Sequence, residues 1–120
     1  MAALSMTRGD SATITVTVVG GDGTPVDLTG KTLRFTAKAS PADAQAAAVM
    51  AKSTGAGITH QAQVGATRGL ADVTITPGDT VTVPAYPVAY VYDVQLTDGA
   101  NTYTTETGSL TVRPDVTTTA

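Results

Sequence analysis

The stretch from Ala89 to Thr97 constrains the fold of this chain more than any other. It reads Ala-Tyr-Val-Tyr-Asp-Val-Gln-Leu-Thr, so Tyr90, Tyr92, Val94 and Leu96 share one face while Val91, Asp93, Gln95 and Thr97 share the other. That is the period of a half-buried strand, with the tyrosine face turned inward. Asp98-Gly99 follows at once and supplies residues that tolerate positive φ. A hairpin is therefore expected, its second arm beginning near Thr102.

Further strands are read from the same alternation. Ser11 to Val19 places Ala12, Ile14, Val16 and Val18 on one face and three threonines on the other. Gly20 to Pro25 is a dense turn signal. Lys31 to Lys38 puts Leu33, Phe35 and Ala37 inward, and Phe35, the single phenylalanine, is expected at the centre of the core. Ile58 to Val64 alternates weakly and is read as an edge strand, Leu70 to Thr76 as a better one. Thr76 to Thr80 carries adjacent Pro and Gly in the manner of a type II turn. Two prolines between Val81 and Pro87 demote that stretch from any central strand. Thr102 to Thr107 and Ser109 to Val112 close the set. One break in the rhythm reads as helical. Ser40 can cap, Pro41 suits a first helical position, Asp43 complements the helix dipole, and good helix formers run to Lys52, so one short helix is expected around residues 41-52.

About seven strands separated by short turns predict an all-β chain, a two-sheet antiparallel sandwich over residues 10–113. Residues 1–9 are expected to form an N-terminal arm and residues 114–120 a polar tail. A chain of 120 residues has room for one core. With aromatics at only 4%, that core must be filled by aliphatic side chains. Threonine, about a fifth of the chain, suits a pleated sheet with one wet face. Tyr90 is the candidate for a tyrosine corner; the alternative is that Tyr90 and Tyr92 are amphipathic residues at the core edge.

Several function classes are disfavoured. A net charge of -3, with seven Lys and Arg scattered along the chain, does not suit neutralisation of nucleic-acid phosphates or docking on anionic membranes. The absence of cysteine removes disulfides, thiolate ligands and Cys nucleophiles. The N-terminus lacks the basic start and apolar core of a secretory signal, and the apolar run from Ala46 to Ala51 is too short to span a membrane, so a soluble protein made in the cytoplasm is expected.

Taken in order, Gly9-Asp10, Asp22-Gly23-Thr24-Pro25-Val26-Asp27-Leu28-Thr29-Gly30, the strand Leu33 to Lys38, Thr76 to Thr80, Tyr90 to Leu96 and Gly108-Ser109-Leu110-Thr111-Val112 form a set. The set resembles the N-terminal immunoglobulin-like domain of tailed-phage baseplate upper proteins, a module also seen as small free-standing phage proteins. The likeness runs over roughly residues 7 to 115, with the Ala-rich segment from Ala42 to Ala51 its weakest part. It implies an immunoglobulin-like sandwich and a virion structural protein: an adaptor in the tail, baseplate or tail-fibre attachment region. Such a protein would be made in the host bacterial cytoplasm and present in multiple copies in a symmetric assembly, with other virion proteins as its partners. A capsid decoration protein is the nearest competitor, and a carbohydrate-binding or adhesive domain the next. The resemblance carries over no catalytic residues.

Individual residues are weighed the same way. Arg8-Gly9-Asp10 matches an adhesive tripeptide but reads as a turn entering a strand. His60 is the sole histidine, with no recognisable partner, and is expected at the surface or an edge. Asp22, Asp27, Asp72, Asp79, Asp93 and Asp98 lie in or beside loops, as calcium ligands do, yet none falls into an EF-hand spacing and each is expected to serve its own turn. No nucleophile has a recognisable base, so neither catalysis nor a cofactor or metal is expected. Phe35, Tyr90, Tyr92, Val94 and Leu96 are the expected structural centre. Asp93, Arg8 and Arg113 are the interface candidates, and Asp93 has a pairing with Arg34 as its alternative.

Overall fold

Alternation of β-branched and apolar side chains along the chain produces strands wherever one face can be buried. The computed structural model describes residues 2–21, 23–40, 48–80 and 88–114. Among them eight strands run in chain order: β1 (Ala2–Thr7), β2 (Ala12–Thr17), β3 (Thr32–Lys38), β4 (Met50–Thr54), β5 (Gly57–His60), β6 (Leu70–Ile75), β7 (Val88–Asp98) and β8 (Asn101–Arg113). They join in a single hydrogen-bonded order, β1-β8-β7-β3-β4-β5-β6-β2. The chain is all-β. No helix among the described residues is long and apolar enough to cross a membrane.

The long β7–β8 hairpin organises the sheet. Asp98 pairs with Asn101 across Gly99 and Ala100, and Gly99 at φ 61° supplies the positive φ that a two-residue turn places first. On its other side β7 pairs with β3, Phe35 opposite Val94 and Ala37 opposite Tyr92. The inward faces of β2, β3, β6, β7 and β8 then share one core, in which Leu33, Phe35, Ala37, Val73, Ile75, Val94 and Val112 are completely buried.

Five features differ from the sequence reading. The arm expected over residues 1–9 contains β1, which pairs in parallel with β8 from Ala2 opposite Gly108 to Thr7 opposite Arg113. Its Leu4 and Met6 pack on the core, and that contact holds the strand to the sheet edge. The helix expected around residues 41-52 is overruled at its C-terminal end. Met50–Thr54 is β4, because the second edge of β3 offers a ladder and Met50 a buried place; Ala37 pairs with Met50 and Arg34 with Ser53. Helix propensity is a weak prior against that. Residues 41–47 lie outside the described residues. The strand expected at an edge, β5, is internal, between β4 and β6.

The two closing strands expected over Thr102–Thr107 and Ser109–Val112 are the single strand β8, interrupted only by a register shift: Val94 faces Glu106 but Gln95 faces Thr104. Thr105 is the extra residue of a bulge, and its hydroxyl donates to the Val94 carbonyl at 3.2 Å. Finally, Pro77–Asp79 forms one turn of 3-10 helix instead of a type II turn. Gly78 does not take the positive φ that a type II turn requires. The proline-bearing crossover over 81–87, most of the polar tail and Asp22 lie outside the described residues.

Candidate functional site

Most polar side chains inside the sheet are spent on the fold. Tyr92 is 3% exposed. Its ring stacks on Phe35 with centroids 5.2 Å apart, and its hydroxyl donates to Glu106 Oε2 at 2.5 Å. Burial, then the hydrogen bond and negative charge of Glu106, push the Tyr92 phenol well above its ordinary range. The register sets Glu106 beside Val94 on the inward face, with Gly108 opposite Tyr92. Sequence reading missed Glu106, because its inward face follows from Leu110 only when Ser109–Val112 and Thr102–Thr107 are joined as the one strand β8.

A second polar tie is Gln63, also missed. Its Oε1 accepts the backbone N–H of Leu28 at 2.9 Å and of Gly69 at 3.0 Å. Its Nε2 donates to the carbonyls of Gln61 at 2.7 Å and Leu70 at 3.3 Å. One amide thus locks the loop before β3 to the loop between β5 and β6.

His60 is half-buried, with Nε2 2.9 Å from the Thr54 hydroxyl. That hydroxyl already accepts the Leu33 N–H at 2.9 Å, which leaves its proton for the imidazole. Burial pushes the His60 pKa down, in keeping with a neutral ring. The acids are dispersed. Asp27 accepts the Thr29 N–H at 3.0 Å and Asp72 accepts from Thr15 and Gln61 at 2.9 and 3.0 Å. Asp79 pairs with Lys52 at 2.7 Å and caps Thr76. Among the described residues no three His or acidic groups converge as metal ligands would.

The expected structural residues Phe35, Tyr90, Tyr92, Val94 and Leu96 are all buried. The interface candidates are divided. Arg8 and Arg113 meet at one end of the sheet, where the Arg8 N–H donates to the Arg113 carbonyl at 2.8 Å. Arg113 is exposed. Asp93 lies on the outer face of β7, half-buried, opposite Thr36 and Thr107, while Arg34 stands opposite Gln95. Gly9, in the adhesive-like triplet, takes φ 81° in the β1–β2 turn and donates its N–H to the buried Thr80 hydroxyl at 2.7 Å.

Two concave surfaces are lined by described residues. One, about 460 Å³, lies between the β7–β8 hairpin end and the Gly20–Gly21 loop, with Tyr103 and Val19 on its rim. Tyr103 is 54% exposed. The other, about 310 Å³, is a groove between β1 and β2, lined by Leu4, Met6, Ala12 and Ile14 with Leu110 beneath and Ser5, Thr13 and Thr15 on its walls.

No family model and no curated protein matches the chain. Among solved structures the chain is similar to the N-terminal domain of phage TP901-1 ORF48, with a TM-score of 0.49 and 14% sequence identity, covering 93% of this chain and 85% of that one.

Proposed function

We propose that the protein is a non-catalytic structural subunit of a tailed-phage particle, an adaptor in the tail, baseplate or tail-fibre attachment region that works by protein–protein contacts. The observation that carries this reading is the ordered motif set. Gly9-Asp10 falls in the β1–β2 turn, Thr24 to Gly30 in the β2–β3 connection, Leu33 to Lys38 in β3, Thr76 to Thr80 after β6, and Tyr90 to Leu96 and Gly108 to Val112 in β7 and β8. The use of His60, Asp27, Asp72 and Asp79 in intramolecular hydrogen bonds supports a role without bond-making chemistry.

In this reading the fold is an immunoglobulin-like sandwich. One layer is β1-β8-β7-β3-β4 and the other β5-β6-β2, joined where β4 and β5 pair over two residues. Mass spectrometry of purified particles should find the chain, and imaging should locate it at the tail. A chain missing from particles refutes the proposal, and one spread over the shell favours the capsid decoration alternative. Tyr103 favours a second reading, a carbohydrate-binding domain, because an exposed ring is a platform for sugars. Saturable binding of isolated monomer on a glycan array would favour it. Within the first reading Asp93 is an interface residue, and unchanged particle assembly by Asp93→Asn removes it.

A further inference from the structure

The order of the strands leaves two ends, β1 and β2, each hydrogen-bonded on one side among the described residues, β1 to β8 and β2 to β6. They are joined by only four residues, 8–11, yet they do not pair with each other. Between them lies the groove of about 310 Å³, with Leu4, Met6, Ala12 and Ile14 half-buried along it.

The walls and floor together specify an occupant. Each wall is a strand edge, a row of backbone N–H and C=O groups that only another extended backbone satisfies along its length. The floor is apolar and calls for alternate apolar side chains. No charged residue lines the groove, so the occupant is uncharged where it lies. Both edges are six residues long, room for a segment of about 20 Å at the rise of a strand. A folded second copy does not meet these conditions. Its eight described strands are already in a sheet, and its own edges face into a groove of the same kind.

We propose that the groove between β1 and β2 receives an extended, uncharged, alternately apolar segment of about six residues from a different virion protein, which pairs with one or both edges as an added strand. This rests on the adaptor reading and names how the adaptor grips its partner. The probe is a capped hexapeptide, Val-Thr-Ile-Thr-Val-Thr, with a control in which the central Ile is Pro and a backbone donor is lost. Saturable binding to the isolated protein is expected, with slowed amide exchange at Ser5 and Thr7 or at Thr13 and Thr15, whose N–H groups alternate with those already paired to β8 and β6. At least a tenfold loss of affinity is expected for the proline peptide and for Thr13→Lys, which lines the groove from an exposed position. Thr59→Lys, exposed on β5, should bind as the parent does.

No saturable binding, equal binding of the proline peptide, or an unaffected Thr13→Lys overturns the proposal. So does concentration-dependent self-association that protects the same amides and excludes the peptide, which would make a second copy the occupant. Peptide binding is read on isolated protein and virion membership on purified particles, so either reading can fail while the other stands.

Discussion

Replacing Gln63 by Ala tests whether one side-chain amide holds the two loops above the core. The change removes an oxygen that accepts from the N–H groups of Leu28 and Gly69, at 2.9 and 3.0 Å, and a nitrogen that donates to two carbonyls. Both amides belong to buried residues, Leu28 at 0% exposure. An orphaned buried donor costs about 1–3 kcal/mol. Gln63 is itself half-buried, so water reaches part of the space and the low end applies to each. With the lost donor bonds, the expected destabilisation is about 2–3 kcal/mol. Against a total of about 5–15 kcal/mol that is a large share, and for a chain of this size it lowers Tm by roughly 8–12 °C. Urea unfolding should show a lower midpoint at unchanged slope, and the amides of Leu28 and Gly69 should exchange faster. Gln63→Glu sharpens the test. It keeps the acceptor but sets a carboxylate against the Gln61 and Leu70 carbonyls, so its deficit at neutral pH should shrink as acid protonates the side chain and restores a donor. A loss under about 0.5 kcal/mol for Gln63→Ala, with unchanged exchange at both amides, refutes the reasoning.

Other perturbations follow from single observations. Gly69→Ala should destabilise by about 1–2 kcal/mol from its φ of 83° alone, and by more because a Cβ there falls 2.7 Å from the Val18 carbonyl; Gly21→Ala, which meets no neighbour, is the thermal-melt control. Burial works to raise the Asp79 carboxyl, but the hydrogen bonds and charge of Lys52 and the Thr76 groups outweigh it and hold the pKa below the usual range. That contribution is present above the unfolded carboxylate pKa and is lost as pH falls through the lower folded one, so Asp79→Asn should flatten the acid limb of a stability–pH curve. Tyr92 has a raised pKa, so its contribution is complete below the unfolded phenol value of about 10 and is lost as pH rises beyond it. Tyr92→Phe should flatten the alkaline limb, and an alkaline limb identical to the parent's would refute the pairing with Glu106.

The core was legible because burial on one face leaves a period of two in the sequence. Tyr90, Tyr92, Val94 and Leu96 are buried as that period requires, and so are Leu33, Phe35 and Ala37. What stayed hidden depends on partners distant in the chain. Met50 to Lys52 carry no mark of a strand until β3 presents an edge to them. Gln63 reads as one more polar residue of a weakly alternating strand until Leu28, 35 residues away, turns its N–H toward it. In β8 the alternation itself misleads. The extra residue at Thr105 moves Tyr103 onto the face of Leu96 and Glu106 onto the face of Val94, so a single period drawn through the strand assigns one half to the wrong side.

Edges were the hardest feature to read, and they bear most on what the protein grips. An edge strand and a central strand share the same alternation, since the pattern reports which face is wet and not which flank is paired. β5 read as an edge and is internal; β1 read as an unstructured arm and is an edge. Both errors come from order in the sheet, a property of the whole chain. β1 reaches its place only because it runs parallel to a strand more than 100 residues later, Leu4 opposite Leu110. The groove beside it is therefore assembled from the two ends of the described chain and the start of β2. Alternation in β2 and the closing strand supplied the apolar side chains, but no local pattern could have placed them around one gap.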